Sequence, residues 1–94
     1  MTIFDIQLTK TAAVDLTSIP SDLRKRITDD IRILSTNPFS FGGPIKKLRG
    51  FKPPLYRLRS GDYRVLYRVH GDFVTIMRII DRKDLERIIK RIKL

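Results

Sequence analysis

Residues 55–68 read LYRLRSGDYRVLYR, two short segments in which apolar residues alternate with basic ones. Alternation at period two is the mark of a strand with one face in a core and the other outside it. Ser60-Gly61 reads as a two-residue hairpin loop, which sets Arg59 opposite Asp62, Leu58 opposite Tyr63 and Arg57 opposite Arg64. One face then carries Tyr56, Leu58, Tyr63, Val65, Tyr67 and Val69, which is a core. The other carries Arg57, Arg59, Arg64 and Arg68, relieved only by Asp62 and Leu66. Like charges directly opposite each other destabilise a sheet, so a face lined with guanidinium groups points to a polyanion as its occupant.

The flanking sequence supplies the rest of one small domain spanning 1–94. Ile3–Leu8 reads as a first strand with Phe4, Ile6 and Leu8 on one face. Thr9 or Thr11 can cap a short helix to about Leu16, with Ala12, Ala13 and Leu16 inward. Ser18-Ile19-Pro20-Ser21-Asp22 starts a second helix, along which Leu23, Ile27, Ile31 and Leu34 recur at helical spacing until Asn37-Pro38 ends it. Phe39 to Pro54, with Gly42, Gly43 and Gly50, reads as a loop-rich connector holding the basic cluster Lys46-Lys47-Leu48-Arg49. After the hairpin, Gly71-Asp72 turns the chain into a last strand, Phe73–Ile80, expected to be the most buried. Asp81 caps a final helix, Asp84–Leu94, striped by Leu85, Ile88, Ile89 and Ile92. The order β-α-α-β-β-β-α predicts an α+β fold: an N-terminal strand and helical hairpin packed on a small, mainly antiparallel sheet, with a C-terminal helix. The helix pair is expected to cover the Tyr63, Val65 and Tyr67 face and leave the arginine face open. A three-residue turn before Phe73 would place Arg78 opposite Arg64 on that open face, away from the cost of a buried unpaired charge.

Composition narrows the chemistry. The 94 residues carry a net charge of +10 and no cysteine, which excludes disulfides and thiolate metal sites and suits a cytoplasmic setting. The start lacks a signal-peptide pattern, and no apolar run approaches the roughly 20 residues of a membrane span. Residues 1–45 hold five basic and five acidic side chains, whereas 46–94 hold fifteen and five, so the second half carries the whole excess. Segregated charge is the footprint of a binding surface for nucleic acid or an acidic protein. Metal catalysis has little to stand on: His70, the one histidine, lies beside a turn glycine, and Asp29-Asp30 diverge by about 100° on a helix. No phosphate-cradling glycine loop is present, since Gly42-Gly43-Pro44 lacks the following lysine-threonine. Neither a metal nor a cofactor is expected. What remains is a cluster of cations: Lys46, Lys47, Arg49, Arg57, Arg59, Arg64, Arg68, Arg78, Arg82 and Lys83. Arg82 and Lys83 fall in the first turn of the last helix, where they oppose the helix dipole and suit a phosphate better than stability.

KKLRG at 46–50, LYRLRSGDYRVLYRV at 55–69 and RIIDRKDLER at 78–87 resemble the bacterial RelE/ParE toxin superfamily. That pattern joins a basic KLRG-like connector, an LYRxRxGDYRVxYxV hairpin and a closing RVGHRKDVY-like segment, in the same element order. The resemblance implies a RelE-branch endoribonuclease that cuts messenger RNA in the ribosomal A site and is held inactive by an acidic, RelB-like antitoxin. It implies metal-free transesterification from the ribose 2′-OH. By the same resemblance Arg64 matches the arginine that stabilises the cleaved phosphate, and Arg82 matches the arginine of the HRK-like segment. Arg57 and Arg59 match basic residues on the preceding strand. Lys47 and Arg49 match RNA-backbone contacts, and Lys46, Arg68, Arg78 and Lys83 extend that basic surface. Two positions depart from the pattern: the histidine is Asp81 here, and the tyrosine four residues after Arg82 is Glu86. Arginine is a poor base, so the proton-transfer groups are open among Glu86, Asp62 and the ribosome. The departures also keep two alternatives: a ParE-type inhibitor of DNA gyrase, and a non-catalytic RNA-binding module on the same scaffold.

Overall fold

Residues 3–93 are described by the computed structural model. The chain runs β1 (Asp5–Leu8), α1 (Lys10–Thr17), α2 (Ser21–Ile31) with a 3-10 turn over Arg32–Ser35, then β2 (Ile45–Leu48), β3 (Leu55–Ser60), β4 (Tyr63–His70) and β5 (Phe73–Asp81). A 3-10 turn at Arg82–Asp84 leads into α3 (Leu85–Lys93); Leu94, the expected end of that helix, lies outside the described residues. The strands form one sheet in the order β1-β5-β4-β3-β2, with only β1 parallel to its neighbour. The expected α+β class and C-terminal helix are therefore present. Among the described residues no helix is long and apolar enough to cross a membrane.

Local chemistry explains the helical hairpin. Thr9 caps α1 by accepting from Ala12 N at 3.1 Å, and its hydroxyl donates to Met77 O, tying the cap to β5. Pro20 opens α2 without a side-chain cap, and Asp22 in the first turn suits the helix dipole. Ala12, Ile19, Ile27, Ile31 and Leu34 pack on Tyr56, Leu58, Val65, Tyr67, Val74, Ile76 and Ile79, so the helix pair covers the expected face. Ala13 and Leu23 stay exposed, because each short helix buries a narrower stripe than its apolar residues offer.

Four expectations change. The connector holds a strand: β2 is an edge strand whose Lys46 pairs with Arg57 and whose Lys47 pairs with Tyr56. The first hairpin turns at Gly61-Asp62, one residue later than expected, so Arg59 faces Arg64 and Arg57 faces Leu66. Gly61 has φ +58°, and no other residue of that turn is left-handed, which suits glycine at the first central position of a two-residue turn. Both strands shift by one residue together, so every side chain keeps its expected face.

The second hairpin also turns on two residues, Gly71-Asp72, with a bulge facing Leu66/Tyr67. The bulge sets Arg78 opposite Leu66, not Arg64. Arg78 is bonded to Asp15 of α1, Nε to Oδ2 at 2.7 Å and Nη2 to Oδ1 at 3.2 Å, and Asp15 also accepts from Ile79 N. The bidentate carboxylate offsets the desolvation that made a half-buried guanidinium look costly.

The arginine face, finally, is only partly open. Leu85, Ile88 and Ile92 of α3 pack on Leu48, Phe51, Leu55, Leu66, Met77 and Ile80, giving the sheet a second core. Arg82 and Lys83 consequently precede α3 rather than forming its first turn.

Tyr67 is the largest fully buried side chain, and its hydroxyl donates to Pro38 O at 2.6 Å. Tyr67→Ala is expected to cost about 3–5 kcal/mol and leave the chain largely unfolded. Tyr67→Phe should cost only about 1–2 kcal/mol through the orphaned carbonyl. Burial, and then the neighbouring Tyr56, raise the Tyr67 phenol above its ordinary value of 10.0. The native state then keeps a proton that the unfolded chain releases, so stability falls as pH rises past that value. Urea unfolding at neutral and alkaline pH should show that fall, and Tyr67→Phe should make it shallower.

Candidate nucleic-acid interface

Two rows of paired residues cross the α3 face of the sheet at the end bearing the Gly61-Asp62 turn. In one, Lys46 of β2, Arg57 of β3 and Leu66 of β4 are neighbours. In the other, Arg59 of β3, Arg64 of β4 and Ile80 of β5 are neighbours. Adjacent strands lie about 4.8 Å apart, so Arg59 and Arg64 are cross-strand partners of like charge. Arg82 joins them from beyond β5. Its backbone N–H donates to Asp62 O at 2.8 Å, and its Nε lies 3.8 Å from Asp62 Oδ1.

The turn carries both arginines that the sequence pattern singles out. Arg64 Nη1 donates to Gly61 O at 3.1 Å and to Tyr63 O at 2.9 Å. Both bonds start from Nη1, leaving Nε and Nη2 for a ligand, in the forked geometry that grips phosphate. From the opposite side of the sheet α2 braces the same turn. Ser60, a buried polar residue, donates to Asp30 Oδ2 at 2.6 Å. The Arg26 guanidinium stands close enough that a Cβ on Gly61 would touch it at 3.6 Å.

The electrostatics follow from this crowding. Burial lowers the Arg64 pKa from its ordinary value, and the charges of Arg59 and Arg82 lower it further against the pull of Asp62 and Asp81. Arg57 is lowered by burial, then by Arg64 and Arg59. All remain cationic in water. Four guanidinium groups therefore share one site with two carboxylates, and one of those, Asp81, already accepts from Lys83 N at 3.0 Å. The surplus is a positive potential suited to a phosphodiester.

Arg57, Arg59, Arg64 and Arg82 are thus brought together, with Lys46 beside Arg57. Other cations named from the sequence lie apart. Arg78 is bound to Asp15. Arg68 pairs with Thr75 at the far end of the face, its Nε buried without a hydrogen-bond partner. Lys47 points to the opposite face, as its pairing with Tyr56 requires. Lys47, Arg49 and Lys52 line an open depression of about 760 Å³ with Leu48, Gly50 and Phe51. Lys83 is exposed in the turn before α3, and Glu86 is exposed on the first turn of α3. The carboxylates that act on Arg64 are Asp62 and Asp81, not Glu86. Among the described residues no three His, Cys, Asp or Glu side chains converge as metal ligands. Sequence reasoning missed Asp15, Asp30 and Ser60, because each works through a partner at least 30 residues away.

The model of the ParE toxin of type II toxin-antitoxin systems matches residues 6–86. Toxin RelE3 of Methanocaldococcus jannaschii is 35% identical over 80 residues, covering 81% of this chain and 88% of that protein. The RelE–RelB complex from Pyrococcus horikoshii OT3 includes a chain 30% identical to this one, with a TM-score of 0.72 over 87% of this chain and 97% of that one. The Mycobacterium tuberculosis toxin-antitoxin complex RelBE2 gives 29% identity and a TM-score of 0.76, covering 89% of this chain and 97% of that one.

A site that crowds guanidinium groups should gain stability from a tetrahedral dianion. Sulfate is expected to raise the melting temperature more than sodium chloride of equal ionic strength, at about 4–8 °C per kcal/mol for a domain of this size. Sulfate also stabilises proteins by exclusion, so the informative comparison is Arg64→Gln. That variant should melt at or above the wild-type temperature without ligand and lose the site-specific part of the sulfate gain.

Proposed function

The chain belongs to the RelE/ParE superfamily of toxins of type II toxin-antitoxin systems, and from that premise we propose that it is a ribosome-dependent messenger-RNA endonuclease. The observation that carries the reading is the Arg57, Arg59, Arg64 and Arg82 cluster, held on a hairpin turn with too few carboxylates to neutralise it. The curated RelE toxin at 35% identity supports the RelE branch.

In the proposed reaction the substrate's 2′-oxygen bonds to the adjacent phosphorus as the bond from phosphorus to the 5′-oxygen breaks. The products are a 2′,3′-cyclic phosphate and a 5′-hydroxyl. One proton leaves the 2′-OH and one reaches the departing 5′-oxygen. Arg64 grips the phosphate through its free Nε and Nη2 and stabilises the negative charge of the phosphorane, with Arg59 and Arg82 on either side. Holding the 2′-oxygen in line with the leaving group supplies the rest of the acceleration. Asp62, paired with Arg82, is one candidate to accept a proton in this reading, and one oxygen of Asp81 already accepts from Lys83 N. Glu86 on α3 and groups of the ribosome complete the candidates for the second transfer.

A second reading, inhibition of DNA gyrase in the ParE manner, is favoured by the description of the matching family model and by Asp81 and Glu86 standing where the RelE pattern has histidine and tyrosine. Under either reading the partner is an acidic, RelB-like antitoxin. Support comes from the toxin–antitoxin complexes among the structural neighbours and from the +10 charge. A toxin acting on ribosomes works in the cytoplasm.

Induced expression is expected to arrest growth and produce cuts within translated messages that vanish when translation is blocked. Arg64→Ala and Arg82→Ala should each slow cleavage about a hundredfold or more, the usual loss for one charged transition-state contact, with the fold retained. Mapping of messenger-RNA ends reads this out; arrest with intact messages and altered DNA supercoiling selects the gyrase reading.

Coexpression with the neighbouring reading frame is expected to yield a complex that survives high-salt purification. Association should be fast and salt-sensitive because the charges steer it. A chain that purifies alone and is harmless without a partner contradicts the toxin reading.

A further inference from the structure

Three rings form a stacked column running from the core to the surface on the face opposite the guanidinium cluster. Tyr67 is fully buried, Tyr56 is 9% exposed and Phe41 is 50% exposed. Tyr56 and Tyr67 stack with centroids 5.4 Å apart and planes 27° apart, and Phe41 stacks on Tyr56 at 5.8 Å and 21°. Phe39 braces Tyr56 edge-on at 5.7 Å. Phe41 is therefore fixed by contacts with the core while half of its surface meets water. A large ring held in that way is an open stack end. Gly42 and Gly43 follow it, and a Cβ on either would meet nothing within 4 Å, so the chain leaving the ring lies in open space.

Charge leads to this ring. Lys46 pairs with Arg57 on the guanidinium face, whereas Lys47 pairs with Tyr56 on the ring face. Adjacent residues of the edge strand thus carry positive charge from one face round to the other. A basic track ending beside an exposed, rigid aromatic ring is how sequence-tolerant single-strand binding is built.

We propose that Phe41 is a stacking platform for one nucleobase of single-stranded RNA that passes from the guanidinium cluster over the β2 edge. The proposal rests on the RNA reading above and adds a second contact point to it. An acidic peptide would satisfy Lys46 and Lys47, but only a flat π-face continues a column of near-parallel rings. The base stacks without readout of its edge, so the contact tolerates any base and fixes position along the strand.

The chain has no tryptophan, so Phe41→Trp places a single indole at the stack end. The full chain is titrated with a short, 5′-labelled oligouridylate carrying 2′-O-methyl groups, which prevent cleavage. Label anisotropy reports binding and indole emission reports stacking. Binding of the RNA is expected to quench the indole. Phe41→Ala should weaken binding about tenfold, in keeping with one lost base stack, and leave the salt dependence unchanged. Arg57→Ala should instead reduce that dependence, because it removes a phosphate contact. RNA that binds without quenching, or binds Phe41→Ala as tightly as wild type, overturns the proposal and leaves the ring as a cover for Tyr56. Loss of antitoxin capture by Phe41→Ala with RNA affinity intact overturns it in favour of a protein anchor. A wild-type chain that binds no free RNA overturns the platform but not a reading in which the ribosome presents the message, which the mapped messenger-RNA ends decide. Bound RNA with a silent indole likewise removes only the platform.

Discussion

The pairing of β3 with β4 across Gly61-Asp62 is the constraint on which the molecule depends. It sends Tyr56, Leu58, Val65 and Tyr67 to the helix pair and Arg57, Arg59, Arg64 and Leu66 to the other face. The same turn offers its carbonyls as tethers, Gly61 O to Arg64 and Asp62 O to the backbone of Arg82. Residues eighteen positions apart in the chain are thereby held at one corner. Because α2 reaches the turn through Asp30 and Ser60, the corner is braced from the core side as well. A site of mutually repelling cations needs such bracing, since the ligand-free state gains nothing from bringing them together.

The sheet's second face shows how that repulsion is tolerated. Leu55, Leu66 and Ile80 accept α3, whose Leu85, Ile88 and Ile92 complete an apolar cluster, and the guanidinium groups occupy only the remaining end. Apolar burial scales with area, whereas repulsion between partly exposed charges is screened by salt. One part of this sheet face thus secures the helix, and the other carries the guanidinium groups.

Basic residues in this chain serve two ends that composition alone does not separate. Arg78 is bound to Asp15 through two nitrogen–oxygen contacts and joins α1 to β5. Its pKa is raised above the ordinary value by the hydrogen bond to Asp15. The pKa values of Arg57 and Arg64 are lowered by burial and by neighbouring arginines. The shifts differ in direction because Arg78 is satisfied by a carboxylate within the protein, whereas Arg57 and Arg64 meet burial and like charge.

Alternation along LYRLRSGDYRVLYR by itself determined the two faces, the core tyrosines and the side on which the arginines gather. Parity survives any shift that moves both strands together, and the one-residue displacement of the turn is such a shift. Helical spacing likewise located Ile27, Ile31, Leu34 and the α3 stripe. The connector strand was not legible, because Ile45–Leu48 is short and three of its neighbours in sequence are glycine or proline. What only the tertiary structure decided are the partners. Among these are Arg59 against Arg64, the bulge that hands Arg78 to Asp15, the covering of Leu66 by α3, and the column from Tyr67 to Phe41. Each depends on contacts between residues distant in sequence, whose pairing is set by packing and turn geometry rather than by any local preference.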